Sequence, residues 1–451
     1  MFRFLRLGAP LRLGAVLGVA VMVATGCGGV GEDEPTEAGK SVLTTLGFSL
    51  PDEIAKTRVD VFRRESSNVD LKITEGGFDE QQFLSAVASG NPPDVVYLDR
   101  KTIGTYAKRG SIVPLDDCVA KQKIDMAQYR PAAKDQVTLD GKVFGIPEFY
   151  SVRVVYMNEA VLKQAGVTPD QINFADWAGL AAVNTKLAKV TGNRVDRIGF
   201  DPKIPEFLPL WAKANGADII SADGRTAHLD DPKVVEALTA TLKIINDQGG
   251  WGKFKGFRDT FDFFGAQSPL AKNQIAAWPM EDWFLNVAAK NTPKAELVIK
   301  PFTDRQGKPL TMASGSAWAI PKGAKNPDAA CIFMNTMTRT STWVEAAKAR
   351  VEARKAAGLP FTGLYTCNAN ADKEIFDTLY QPSGNKRFDD GVQAILSVQS
   401  AAFSIPASPA GAEFDKAWTD AVNRVLSGQS DPATALAQAQ RDAQAALDRA
   451  K

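Results

Sequence analysis

Between Ser41 and Gly110 the apolar period switches back and forth between two and 3.6 residues, and this alternation constrains the fold more than any other feature. Val42–Leu50 (VLTTLGFSL) reads as a first strand and turn. Asp52–Glu65 has apolar residues at helical spacing, although RVDVF within it also suits a strand. VDLKITEG alternates as a strand does. Asp79-Glu80 opens a helix through Phe83, Leu84 and Val87 that Gly90 ends. Pro92-Pro93 leads into DVVYL, a short apolar run bounded by turns, which suits a strand buried on both faces. Strand, helix, strand, helix in that order predicts a parallel α/β layer.

The pattern continues downstream. Lys101–Gly110 reads as a helix with a glycine stop, IVPLDD as an extended segment, and Gly141–Asn158 as a β-rich stretch broken by Gly145 and Pro147. Helices are expected at Glu159–Ala165, Asp176–Lys189 and Lys233–Asn246, with Asp201–Gly216 a loop running into a helix. Pro432–Lys451 is an Ala-rich amphipathic helix whose role is packing. No repeat of fixed period is present, which argues against a solenoid or propeller.

The N-terminal stretch addresses the chain to a compartment. Arg3, Arg6 and Arg12 precede the apolar run LGAVLGVAVMVA, which ends in Ala24-Thr25-Gly26-Cys27. The run is too short and Gly-rich for a stable span and reads as a signal peptide over residues 1–26. Its end looks like a bacterial lipobox, so Cys27 is expected to carry lipid. Residues 27–40, small and acidic, then form a flexible tether from the membrane to an extracytoplasmic body. The 451 residues leave room for two domains with real cores. A net charge of +1 shows no basic excess, and no nucleic-acid partner is expected.

Several chemistries are disfavoured by composition. The chain has one histidine, His228, in the turn-like DGRTAHLDDP, and a solvated loop residue is the expected reading. Ser-His-Asp, Cys-His and most catalytic zinc sites need a histidine in a prepared site. Beyond Cys27 the cysteines are Cys118, Cys331 and Cys367, with no CxxC pair, so no metal is expected. Two readings of these thiols stand open: a disulfide between Cys331 and Cys367, or three small buried apolar residues. Asp116-Asp117, Glu281-Asp282 and Asp389-Asp390 are adjacent carboxylates that point in different directions and make no acid–base couple by themselves. No Walker or dinucleotide glycine pattern appears, and no cofactor is expected.

The aromatics say more. Phe149-Tyr150 follows Gly145-Ile146-Pro147, Trp211 follows Pro209, and Trp278 and Trp283 bracket Pro279-Met280-Glu281-Asp282. A ring beside carboxylates and hydroxyls is what sugar recognition requires. The C–H face of a sugar stacks on the ring, and its hydroxyls need fixed donors and acceptors. Core packing is the competing role for each tryptophan.

At this point the order of segments resembles the extracellular solute-binding proteins of bacterial ABC importers, in the carbohydrate-binding class that includes maltose-binding protein. The residues that carry the resemblance are Asn91–Val96 (NPPDVV), Gly110–Asp116 (GSIVPLD), Gly141–Pro147 (GKVFGIP), Val155–Asn158 with Leu162 and Gly166, Asp176-Trp177, Ser314–Ile320 (SGSAWAI) and Asn326–Ala330. The resemblance implies an α/β, two-lobe periplasmic-binding-protein-like fold of type II, with a ligand cleft between the lobes and crossover hinges. Residues 41–148 and 315–398 would form lobe 1, and residues 149–314 and 399–451 lobe 2. The crossovers would fall near Ile146–Val152, Thr311–Gly315 and Gln399–Pro406.

The resemblance also implies the residues that contact cargo. They are Phe48, Asp99, Arg100, Phe149, Tyr150, Ser151, Glu206, Trp211, Trp278, Glu281, Asp282, Trp283, Ser314 and Gly315, with Trp418 a further candidate from the C-terminal lobe for which packing is the preferred reading. The expected role is a monomeric, lipid-anchored receptor that delivers a sugar or oligosaccharide to the transmembrane permease of an ABC importer. A variant keeps the fold and changes the cargo to a glycerophosphodiester or other polar solute. Readings from other classes are an extracytoplasmic glycoside hydrolase, which lacks a clear acid–base site here, and an adhesion lipoprotein, which lacks the usual repeats.

Overall fold

The computed structural model describes residues 40–450. The signal peptide, Cys27 and the tether as far as residue 39 lie outside the described residues. The strands run β1 (Ser41–Phe48), β2 (Val69–Glu75), β3 (Val95–Asp99), β4 (Thr138–Leu139), β5 (Lys142–Val143), β6 (Ile146–Pro147) and β7 (Arg153–Asn158). They continue with β8 (Lys189–Thr191), β9 (Arg194–Phe200), β10 (Ile275–Glu281), β11 (Leu297–Pro301), β12 (Thr311–Met312), β13 (Ser316–Ala319) and β14 (Ala402–Phe403).

Two five-stranded sheets organise the body, in the orders β2-β1-β3-β13-β6 and β11-β7-β10-β9-β8. In the first, β1 pairs in parallel with β2 and β3, as the alternating periods predict. β13 then joins antiparallel to β3 and β6. The second sheet is mixed: β10 is parallel to β9 but antiparallel to β7. All six residues of β7 are buried, which accounts for the apolar run VVYM at its centre, between flanking strands.

RVDVF resolves as helix. Glu53–Glu65 is helical, and the Asp52 side chain accepts a hydrogen bond from the Ala55 amide at 3.0 Å. Ile54, Val59 and Phe62 then turn onto the core. Asp79, Asp176 and Asp431 cap Glu80–Ala88, Trp177–Leu187 and Pro432–Arg449 in the same way. His228 is exposed in its loop. No helix among the described residues is long and apolar enough to cross a membrane.

Three extended segments run side by side between the sheets. Ser151 and Ser314 bridge antiparallel, β12 pairs in parallel with β14, and the Ala313 amide donates to the Phe403 carbonyl at 2.7 Å. Downstream, the helix Lys386–Val398 packs on β11 and β7 of the second sheet, so the chain has already returned there before residue 399.

The cysteines pair differently from the expectation. Cys118 and Cys331 form the disulfide, with Cα atoms 5.7 Å apart, and Cys367 is a free buried thiol. The bond joins the short helix Asp116–Gln122 to Pro327–Thr338. Cys367 instead lies in the packing between the crossovers, its sulfur 3.1 Å from the Phe149 carbonyl.

Candidate functional site: a cleft at the carboxyl ends of both sheets

Open α/β sheets bind ligands outside the carboxyl ends of their strands, where loops and side chains converge. Here Asp99 ends β3 and Glu281 ends β10, so each sheet brings a carboxylate to the space between them. Asp201–Phe207, the loop after β9, supplies Pro205, Glu206 and Phe207 to the same space. The crossovers add Met312, Ala313 and Ser314, and the helix Gly411–Leu426 adds Asp415, Lys416, Trp418 and Thr419. Together they wall a cavity of about 540 Å³.

A second cavity, of about 420 Å³, has walls from Phe149, Ser151 and Gly315 of the crossovers, and from Asp282, Trp283 and Asn286 just after β10. Asp52, Tyr97, Arg350 and the loop Thr362–Tyr365 complete it. Neighbours in extended backbone point to opposite sides. Glu281, at the end of β10, lines the first cavity and Asp282, in the turn that follows, the second, and Ser314 and Gly315 are split between the two cavities likewise.

The first cavity is acidic: Asp99, Glu206, Glu281, Asp415 and Asp420 outnumber Lys101, Arg153 and Lys416 among apolar side chains. Each of the three cations is paired with a carboxylate of the wall. Arg153 lies 3.4 Å from Glu281, and Lys101 lies 3.4 Å from Asp415. Burial pushes the Asp415 carboxyl up, and Lys101 partly offsets this. The Trp418 indole donates to Asp415 at 3.2 Å, which fixes its ring at the wall. Such walls present acceptors, donors and the rings of Phe207 and Trp418, with carboxylates in excess over cations. That matches a neutral polyhydroxylated molecule better than an anion.

In the second cavity Trp283 is 39% exposed, and Asp282 beside it is 3% exposed. Burial pushes the Asp282 carboxyl up to about 8, and one of its oxygens has no hydrogen-bond partner. Among the described residues no cluster of histidine, cysteine and carboxylate side chains has the arrangement of a metal site.

The model for the bacterial extracellular solute-binding protein family matches residues 57–357. The chain belongs to that family. The arabinooligosaccharide-binding protein of Bacillus subtilis (strain 168) is 22% identical over 323 residues, covering 69% of this chain and 72% of its own. The diacetylchitobiose binding protein DasA of Streptomyces coelicolor is 26% identical over 353 residues, covering 72% and 77%. The fold of CpMnBP1 with mannobiose bound matches with a TM-score of 0.70 at 24% identity, covering 90% of this chain and 100% of that one. The Listeria monocytogenes ABC substrate-binding protein Lmo0181 in complex with cycloalternan matches at 0.71 and 20% identity, covering 91% and 99%.

For this solute-binding protein the expected contact residues divide into two groups. Asp99, Glu206, Glu281 and Ser314 line the first cavity; Phe149, Ser151, Asp282, Trp283 and Gly315 line the second. Five others are packing residues instead. Phe48 is buried against Trp318 and Tyr97, with ring centroids at 4.8 and 5.7 Å. Trp211 is fully buried among Phe174, Phe200 and Phe302, and its indole donates to the Pro202 carbonyl at 2.9 Å. Trp278 packs on Tyr156 and Phe284. Tyr150 is buried beneath the Arg130 guanidinium, 5.1 Å from its ring centroid.

Arg100 is the most instructive of the five. It is fully buried beneath the crossovers, donating to the Phe149 carbonyl at 2.6 Å, the Ser316 carbonyl at 3.3 Å and the Gln136 side chain at 3.0 Å. It ties the crossovers to the end of β3 and does not reach a cavity wall. Meanwhile Lys101, Arg153, Asp415 and Trp418 on the first cavity, and Asp52, Arg350 and Tyr365 on the second, were not anticipated as contacts. Trp418 had a legible signal: Asp415 stands three residues before it on a helix, one turn away, where a carboxylate reaches the indole N–H.

Proposed function

We propose that this protein captures a neutral sugar or oligosaccharide in the cleft between its two sheets and delivers it to the transmembrane permease of an ABC importer. The observation that carries the reading is the first cavity, whose walls come from both sheets and the crossovers and combine paired carboxylates and cations with the Trp418 ring. Relatives that bind arabinooligosaccharide and diacetylchitobiose support a sugar cargo. Lipid on Cys27 would hold the monomeric receptor on the outer face of the membrane. Binding and release, without turnover, are the whole of its chemistry.

The test is thermal unfolding and calorimetric titration against mono-, di- and trisaccharides of glucose, mannose, arabinose and N-acetylglucosamine, with glycerophosphodiesters as the charged arm. A ligand that binds only the folded form raises the melting temperature in a saturable way. A shift with one glycan series, and recovery of that glycan unchanged, supports the proposal. A shift confined to the glycerophosphodiesters, or hydrolysis of the glycan, overturns it.

A further inference from the structure

Arg153 opens β7 and stands on the wall of the first cavity, with Glu281 directly opposite it on β10. One side of its guanidinium is committed to the crossovers. Nη1 donates to the Met312 carbonyl at 2.8 Å and to the Ser151 carbonyl at 3.2 Å. The backbone is fastened as well: the Arg153 amide donates to the Thr311 hydroxyl at 2.7 Å, and that hydroxyl donates to the Arg153 carbonyl at 2.9 Å. The guanidinium carbon also lies 5.2 Å from the centroid of the Phe207 ring, another wall residue. A group held in this way has little freedom left to lose when a ligand binds.

The other edge of the guanidinium, Nε with Nη2, is underused. Nη2 lies 3.4 Å from Glu281, and Nε has no hydrogen-bond partner, although the Arg153 side chain is only 6% exposed. Among the described residues of this cavity wall, Arg153 alone carries a buried side-chain polar atom without a partner. Native proteins pair almost all such groups, and an unmet charged donor is the costliest kind. Lys101 and the Trp418 indole, by contrast, are both spent on Asp415. The free donor therefore stands beside a carboxylate. A hydroxyl answers both at once, since its oxygen accepts from Nε while its proton goes to Glu281. An ether oxygen accepts but cannot donate, and an anionic group meets the charge of Glu281.

We propose that Arg153 and Glu281 act as a pair on one hydroxyl of the cargo, which makes Arg153 a specificity-determining residue. The pair selects a sugar with a free hydroxyl at that position over the same sugar deoxygenated or O-methylated there. This rests on the reading of the protein as a sugar receptor with its cargo in the first cavity. The same guanidinium holds the Ser151 and Met312 carbonyls, so the crossovers set the position of the selecting donor.

The experiment titrates the full-length chain in detergent, and its Arg153→Lys and Glu281→Met variants, by calorimetry. The probes are mono-, di- and trisaccharides of glucose, mannose, arabinose and N-acetylglucosamine, followed by every monodeoxy and mono-O-methyl derivative of the sugar among them that the wild type binds. In the wild type, both derivatives at one position should bind on the order of tenfold to a hundredfold more weakly than the parent sugar. Arg153→Lys keeps the charge and removes Nε, and Glu281→Met keeps the length and removes the acceptor. In each variant the ratio at that position should shrink about fivefold or more, with the ratios at other positions as in the wild type. A merely structural role would weaken parent and derivatives alike and leave every ratio in place. Should Arg153→Lys fail to fold, Glu281→Met decides by itself. A ratio that persists in a folded variant, or a wild type that shows none, would overturn the pair and leave the receptor reading intact. Binding of none of these sugars by the wild type would remove both.

Discussion

Ser151 and Ser314 exchange both of their backbone hydrogen bonds, amide to carbonyl, at 3.1 and 3.0 Å. The bridge joins two crossover segments at the point where the two cavities divide, since Ser151 lines the second and Ser314 the first. The next residue is where this joint is tightest. Gly315 has φ +139°, and a Cβ there would stand 2.4 Å from the Phe149 carbonyl oxygen and 2.7 Å from Arg100. Gly315→Ala is therefore expected to cost roughly 2–4 kcal/mol of stability. Urea unfolding checks it, with Ser314→Ala as a control expected to stay within about 1 kcal/mol.

Arg100 predicts a loss of structure rather than a loss of ligand contact. Arg100→Met removes a charged donor from the Gln136 side chain and from the part-buried Phe149 and Ser316 carbonyls, which keep the Cys367 thiol and the Glu148 amide as their other donors. Hydrogen bonds from a charged group contribute about 1.5–3 kcal/mol each, so destabilisation of about 3 kcal/mol or more is expected. A variant that keeps the wild-type melting temperature but loses sugar affinity would return Arg100 to the cleft.

Trp283 and Trp211 should behave oppositely. Trp283→Ala trims an exposed ring on a cavity wall, and about tenfold or greater loss of cargo affinity is expected with little change in melting temperature. Trp211→Ala empties a fully buried site among four rings and should cost about 3–5 kcal/mol. Parallel titration and thermal unfolding of both variants separate the two roles.

Asp282 sets a pH dependence whose sign follows from burial. Its carboxyl is raised from 3.8 to about 8 in the folded protein. Between those values the folded state binds more protons than the unfolded state, so stability falls as pH rises through this window. Above about 8 the contribution levels off. Asp372, raised to about 6 by burial against the pull of Arg130, adds in the same direction over the lower part of the window. Asp282→Asn should flatten the fall in unfolding free energy between pH 5 and roughly pH 8, measured by urea unfolding, by an amount on the order of a few kcal/mol. A wild-type curve that rises with pH and is unchanged in the variant would contradict the assignment.

The disulfide predicts a redox response specific to one pair. Cys118 and Cys331 are 213 residues apart, and removing a bond that closes so long a loop costs typically 2–4 kcal/mol. Cys118→Ser with Cys331→Ser should lower the melting temperature and abolish its sensitivity to reductant. Cys367→Ser should leave that sensitivity in place, and thiol counting on the unfolded, unreduced chain checks the pairing directly.

Much of the first sheet was legible from β1 to β3, because alternation and helical spacing are local properties that caps such as Asp52 and Asp79 punctuate. The mixed order of the second sheet was less so. β7 reads the same as a parallel or antiparallel strand once both of its faces are covered. Site residues were legible where an extended segment ends at the cleft, as at Asp99, Glu281 and Ser314. They were not where a ring had two possible environments. Trp211 and Trp283 both stand near proline and acidic residues, yet one packs among aromatics and the other lines a cavity.

The amino-acid sequence by itself determined the alternation of strands and helices in the first part of the body, helix starts such as Asp79 and Asp176, and the family to which the chain belongs. Each follows from periodicity, turn chemistry or short motifs read within a few residues. Tertiary structure alone decided which thiols pair, which tryptophans meet the cleft, and that Arg100 serves the crossovers. Those outcomes depend on elements brought together from far apart in the chain, as when β3 meets β13 and Asp116–Gln122 meets Pro327–Thr338. Burial and partnership are set by that long-range packing, which local pattern does not encode.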